Sequence, residues 1–190
     1  MRWQRHDGER EFTEYFSARF HQTRRLAYLL CGDWHRADDL AQSAFVRVAG
    51  SWHRVRDAEA LDAYLRTCLM RSFFSDQRRA WRRREATAAE LPDRPAGTDD
   101  ADDAATRIAI TRALLQVPPR QRAVLVCRYY DGLDVAATAQ VLGCAEGTVK
   151  SQCARGLAAL RAALGGQLTN ETALPGAEAA GTRSRGNMPW

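Results

Sequence analysis

Apolar side chains recur at three- and four-residue steps over most of this chain, the period of a helix with one buried face. Phe12, Tyr15, Phe16, Phe20, Leu26, Leu29 and Leu30 predict a helix over residues 11–30. Cys31-Gly32-Asp33 ends it, glycine being the usual stop. A second helix is predicted from about His35 to Ala49, with Ala37, Leu40, Ala41, Ala44, Phe45 and Val48 facing inward. The polar and aromatic stretch from Gly50 to Ala60 reads as a loop. Leu61, Tyr64, Leu65, Cys68 and Leu69 then mark the buried stripe of a long helix that reaches about Glu85, with no Gly or Pro inside it.

Residues 86–106 change character. Pro92, Pro95, Gly97 and the run Asp99-Asp100-Ala101-Asp102-Asp103 offer nothing to bury, which predicts a flexible linker. Helical periodicity resumes at Ile108–Leu115, breaks at Pro118-Pro119 and restarts to Tyr130. Pro119 suits the first turn of the new helix, where its missing N–H has no partner to lose. Asp131-Gly132 reads as a turn, and Asp134 can cap a short helix, Val135–Leu142, through its carboxylate. Gly143 closes that helix, and a last one runs from about Ala145 to Leu164. Beyond Gly165-Gly166 the chain is small and polar without periodicity and reads as a disordered tail. The fold class expected is all-α: two small helical domains, 1–84 and 107–166, joined by a flexible acidic linker, 85–106, and followed by a tail, 167–190.

Charge sharpens this picture. The 190 residues hold 28 basic and 23 acidic side chains, and every basic one except Lys150 is Arg, which binds phosphate and stacks on bases better than Lys does. Residues 1–84 carry 17 basic and 11 acidic groups, residues 85–106 one and seven, and residues 107–166 eight and three. Two basic bodies are thus joined by an acidic strap, a distribution suited to a polyanionic partner. No apolar run approaches the roughly 18 residues of a membrane span, so no membrane insertion is expected. Met1-Arg2-Trp3-Gln4-Arg5-His6-Asp7 lacks the apolar core of a secretion signal, and a cytoplasmic location follows. Cys31, Cys68, Cys127, Cys144 and Cys153 are odd in number and form no C-x-x-C pair. The four histidines show no metal-ligand spacing with them, so neither metal nor cofactor is expected, and the thiols read as small buried residues. No Gly-rich phosphate loop, His–carboxylate pair or nucleophile motif points to an enzyme. Tyr129-Tyr130 lies on an apolar helix without the Arg-His-Arg partners of a tyrosine recombinase.

Two constellations carry function. Val135–Leu142, a turn at Gly143-Cys144 and a helix from about Ala145 have the spacing of a helix-turn-helix. At about 100° per residue, Val149, Cys153, Leu157, Leu160 and Leu164 form the buried seam of the last helix. Gly147, Ser151 and Arg155 fall opposite, beside Thr148, Lys150 and Gln152. That small, polar and basic face suits the major groove, where Gln, Thr and Lys read base edges and Arg meets phosphate. The other constellation ends the Leu61–Glu85 helix. Arg71, Arg78, Arg79 and Arg82, with Phe73, Phe74 and Trp81 between them, combine phosphate neutralisation with surfaces on which bases stack.

With these motifs in place, the chain resembles the extracytoplasmic-function sigma factors of the bacterial sigma-70 family, of a type common in actinobacteria. Leu26-Ala27-Tyr28-Leu29-Leu30-Cys31-Gly32-Asp33, followed by Arg36-Ala37-Asp38-Asp39-Leu40-Ala41-Gln42, looks like the family's second conserved region. Val117-Pro118-Pro119-Arg120-Gln121-Arg122-Ala123-Val124-Leu125, Arg128-Tyr129-Tyr130-Asp131-Gly132-Leu133, and Glu146-Gly147-Thr148-Val149-Lys150-Ser151 look like its fourth. The resemblance implies a promoter-recognition subunit, monomeric when free, whose partners are the beta and beta-prime subunits of core RNA polymerase and promoter DNA. It implies core binding by Asp38, Asp39, Gln42, Phe45 and Arg47. The loop with Trp52, His53, Arg54 and Arg56 would capture a base flipped from the −10 element, which Arg71, Phe74, Arg78 and Arg79 would also hold. Unstacking a base costs a few kcal/mol, which binding to the open strand must offset. Glu146, Gly147, Thr148, Lys150, Ser151, Gln152 and Arg155 would read the −35 element. The family's anti-sigma factors are a further class of partner, of which this sequence itself carries no sign. Ser43, Thr138, Ala145 and Gln152 depart from the family's usual Glu, aliphatic residue, capping Ser and Arg. The rival reading is a self-contained helix-turn-helix regulator, which would bind its operator unaided and leaves residues 10–84 without a role.

Overall fold

The computed structural model describes residues 3–54, 57–86 and 101–171, and the side chains of 8–54, 57–82 and 108–165. Within them the elements are α1 (Trp3–Cys31), α2 (Trp34–Ser51), a 3-10 turn (Trp52–Arg54), α3 (Ala58–Ala86), α4 (Ala101–Gln116), α5 (Pro119–Leu125), a π-helical turn (Val126–Tyr130), α6 (Val135–Leu142) and α7 (Glu146–Glu171). The described residues form no strand, and the all-α expectation holds. Most of the expected linker, 87–100, and the tail from 172 onward lie outside the described residues.

α1, α2 and α3 pack on one another. Gly32, at φ +76°, turns the chain sharply after α1, and its N–H bonds to the Tyr28 carbonyl at 2.7 Å. The Asp33 carboxylate then accepts from the Arg36 N–H at 2.7 Å and starts α2, satisfying a donor that the first turn leaves free. The buried residues of α2 are Ala37, Leu40, Ala41, Ala44, Phe45 and Val48, the inward set its periodicity predicts. Ion pairs tie the three helices together: Arg19 holds Asp62 through two bonds (3.0 and 2.8 Å), and Arg36 holds Asp76.

The other four helices also pack together, with α7 against α4, α5 and α6. Pro119 opens α5 as its position predicts. The expected continuation to Tyr130 is instead a π turn: the Asp131 N–H reaches back to the Val126 carbonyl at 3.0 Å, five residues earlier. Asp134 caps α6 by accepting from the Ala137 N–H at 2.7 Å, and Gly143, at φ +63°, closes it. Three helix ends differ clearly from expectation. α1 begins at Trp3, eight residues before the expected start, α4 begins at Ala101, inside the acidic stretch, and α7 passes through Gly165-Gly166 to Glu171. Glycine lowers helix propensity by about 1 kcal/mol, but unlike proline it neither loses a donor nor clashes, so a helix anchored elsewhere can run on through it.

The two groups of helices share one apolar cluster, in which Leu26, Leu30, Leu69 and Phe73 are continuous with Leu114, Val117, Val126 and Val141.

Candidate nucleic-acid interface

The helix-turn-helix forms around a small core. Val149 is fully buried with Val124 and Ala139, which fixes the rotation of α7 at its first turn. The Cys144 N–H bonds to the Ala139 carbonyl at 3.0 Å across the turn, so the angle between α6 and α7 is set by backbone as well as by packing. With Val149 inward, Glu146, Gly147, Thr148, Lys150, Ser151 and Arg155 are all exposed, and Gln152 is half-buried at the edge. The Ser151 hydroxyl donates to the Thr148 carbonyl at 3.0 Å. Thr138 is fully buried, and its hydroxyl donates to the Asp134 carbonyl at 2.7 Å, which satisfies the polar atom that this departure from an aliphatic residue introduces. Ala145 has no side-chain oxygen; its carbonyl accepts the Thr148 N–H at 2.9 Å.

The arginines of α1–α3 divide into two kinds, the second of them gathered toward the end of α3. Arg19, Arg24, Arg36 and Arg66 each hold an Asp within the fold. Arg71, Arg78, Arg79 and Arg82 are exposed and have no carboxylate partner among the described residues. Their positive charge is available to an external anion. The aromatics between them also divide. Phe73 is 0% exposed, Phe74 is half-buried against it (centroids 5.3 Å apart), and Trp81 is 64% exposed beside Arg78 and Arg82. Trp81 is the open stacking surface of this face, a residue set among the basic run but left out of the expected contacts.

The turn before α3 is less open than its composition implies. Trp52 is half-buried, edge-on to Phe12 (5.2 Å) and against Tyr15 (5.4 Å). His53 and Arg54 are exposed, and Arg56 lies outside the described residues.

On α2 the expected core-binding set separates in the same way. Asp39, Gln42 and Arg47 are exposed. Asp38 is held by two guanidinium nitrogens of Arg24, Nε and Nη2, and that group itself lies over the Trp34 ring at 4.6 Å. Phe45 is 2% exposed, with its ring among Tyr15, Phe16 and Phe20, so it supports the helix from beneath and cannot itself touch a partner. Val46 is 71% exposed. By helical angle it falls between Gln42 and Ser43, within about 60° of each, a position legible in the sequence but masked by its apolar character.

Comparison with known proteins covers both helix groups. Residues 17–83 match sigma-70 region 2 and residues 107–160 match sigma-70, region 4. The chain is 37% identical over 155 residues to the RNA polymerase sigma-E factor of Streptomyces coelicolor, covering 80% of this chain and 84% of that one. It is 36% identical over 157 residues to the ECF RNA polymerase sigma factor SigM of Mycobacterium tuberculosis, covering 81% and 77%. Among solved structures, the fold resembles the sigma factor RpoE of Bartonella quintana in complex with the anti-sigma factor NepR (TM-score 0.67, 23% identity, 82% and 97% covered). It also resembles CnrH in complex with the cytosolic domain of CnrY (TM-score 0.57, 18% identity, 86% and 90% covered). A helix-turn-helix with an open basic face, joined to a three-helix unit that carries exposed arginines toward its end, is in this chain the build of a sigma-70 family protein of the extracytoplasmic-function group, an RNA polymerase sigma factor of transcription initiation.

Proposed function

We propose a division of labour between the two helix groups, corresponding to domains 1–84 and 107–166. The exposed face of α2, with Asp39, Gln42, Val46 and Arg47, docks on core polymerase; Val46 supplies an apolar centre and the polar residues its rim. The end of α3 holds the −10 element through Arg71, Arg78, Arg79 and Arg82, with Trp81 offering a face for an unstacked base. His53 and Arg54 border the same site, and Phe74 and Trp52 shape it from behind. Glu146, Gly147, Thr148, Lys150, Ser151, Gln152 and Arg155 on α7 read the −35 element in the major groove.

The observation that carries this reading is the pair of exposed basic faces on one chain, without carboxylate partners among the described residues, one of them on a recognition helix. The protein acts in the cytoplasm as a monomer and opens DNA by binding energy without catalysing a reaction. Like the Bartonella quintana relative, which is held by an anti-sigma factor, it is open to control by a protein inhibitor. Its test is in vitro transcription with purified core polymerase on a genomic fragment library. Discrete start sites sharing elements near −35 and −10 are expected. A chain that fails to bind core but binds duplex alone would instead be a self-contained regulator.

A further inference from the structure

The outward ridge of α7 is made of small residues. Val149 points into the core. At about 100° per residue, Gly147, Ser151, Ala154 and Ala158 fall opposite it, within about 60° of one another, and all four are exposed. The Ser151 hydroxyl is turned back onto the Thr148 carbonyl, so no long side chain stands along the middle of this face. A helix with so low a ridge sits deep in a major groove, and the residues on its flanks then reach base edges as well as the groove walls. Lys150 lies on one flank. Thr148, Gln152 and Arg155 form the other, again within about 60° of one another.

Gln152, which departs from the family's usual Arg, stands in the middle of that second row. It is half-buried, so its stem is confined, and its amide has no hydrogen-bond partner among the described residues. It follows Glu146, the first residue of α7, by six positions, or about 9 Å along the axis. That places it in the N-terminal part of a recognition helix, the part that meets base edges. The exchange of Arg for Gln changes what this position recognises. Arg offers a charge and only donors, which suit a phosphate or the O6 and N7 atoms of guanine. Gln offers a donor and an acceptor side by side and no charge. The one base whose major-groove edge carries the complementary pair is adenine, where N7 accepts and the N6 amino group donates.

We infer that Gln152 is the adenine-reading residue of this recognition helix, and that the −35 element of this chain requires an adenine there. Thr148 is one helical turn away, about 6 Å along the axis, so the pair it meets lies one or two base steps from that adenine. The inference rests on the −35 role of α7 proposed above and adds the base to it.

The test is equilibrium binding of the holoenzyme, this chain with core polymerase, to promoter duplexes that carry each base pair in turn at every −35 position. It compares wild type, Gln152→Ala and Gln152→Arg. The wild type should prefer adenine at one position by roughly 5- to 100-fold. Gln152→Ala should flatten that position alone and leave the salt dependence unchanged, because a neutral amide releases no counterion. Gln152→Arg should move the preference at the same position from adenine to guanine. Replacing the adenine N7 by carbon should weaken binding of the wild type and leave Gln152→Ala unaffected, a difference that a merely structural side chain would not produce. An adenine preference that survives in Gln152→Ala overturns the inference. So does a Gln152→Arg chain that gains salt dependence without changing its base preference, or a Gln152→Ala chain that weakens evenly at every position. A wild-type holoenzyme indifferent to all −35 substitutions overturns the −35 role of α7 itself, and the inference with it.

Discussion

Phe73 and Trp81 lie eight positions apart on the same helix, yet they have opposite surroundings and should respond oppositely to truncation. Phe73 is fully buried in the shared core, so Phe73→Ala should cost about 3–5 kcal/mol of stability. Trp81 is exposed beside exposed arginines, so Trp81→Ala should change stability by less than about 0.5 kcal/mol. The same Trp81→Ala change should weaken promoter opening by the worth of one base stack, about 1–3 kcal/mol. Denaturant melts and the rate of open-complex formation check the two halves. Such distinctions were only partly legible in the sequence, where Phe73, Phe74 and Trp81 are equivalent aromatics in a basic run; burial separates them, and burial depends on which helix lies opposite. Ala145 was legible outright. It precedes α7 without a side-chain acceptor, so Ala145→Ser should stabilise the chain by about 1 kcal/mol by accepting a first-turn N–H. In a cooperative unit of this size that is a rise of about 2–4 °C in Tm, read by thermal unfolding.

At the scale of elements, α2 and α6 were predicted almost to the residue, because each has a single buried stripe and an Asp at its start, of which only Asp134 was read as a cap from the sequence. The π turn was not, since Val126 to Tyr130 carries an apolar pattern that an α-helix would satisfy equally well. What selects it is a set of bonds from beyond the helix: the Leu133 N–H to the Cys127 carbonyl (3.0 Å) and the Arg128 guanidinium to the Leu133 carbonyl. α7 offers the sharpest test at this scale, because its exposed face mixes two kinds of contact. Arg155 lies two turns from Thr148, where phosphate is the natural partner, whereas Lys150 is near the start of the helix, where base edges are reached. Arg155→Ala in the polymerase holoenzyme should therefore weaken binding evenly across promoter sequences and reduce the slope of log K against log salt by about one. Lys150→Ala should instead relax preference at one position of the −35 element, at about 1–3 kcal/mol. Binding titrations at several salt concentrations on point-substituted promoters distinguish the two; identical salt slopes for wild type and Arg155→Ala would remove Arg155 from the phosphate contacts.

The docking of the two helix groups is where sequence was least informative. In the sequence Asp131 reads only as part of a turn and Arg122 only as part of a motif, with nothing to link Arg66 to either, and periodicity within one helix says nothing about which distant helix covers it. In the structure Arg66 on α3 holds Asp131, and Arg122 on α5 donates to the Leu30 carbonyl. Yet this docking decides how the molecule unfolds. Leu26, Leu30, Leu69 and Phe73 share a cluster with Leu114, Val117, Val126 and Val141, so neither group can lose its packing without exposing apolar surface of the other. The tryptophans make the coupling measurable. The sequence has five, Trp3, Trp34, Trp52, Trp81 and Trp190, and none between residues 107 and 166. With Trp190, which lies outside the described residues, replaced by Phe, tryptophan fluorescence follows the α1–α3 group, while far-UV circular dichroism follows all seven α-helices. In urea the two signals should change together, as one cooperative unit requires. In Arg66→Asp they should separate, with part of the circular dichroism lost before or after the fluorescence changes. Separate transitions already in the wild-type chain would mean that the shared core contributes little to stability, and that the two groups are neighbours held by contact rather than one folded unit.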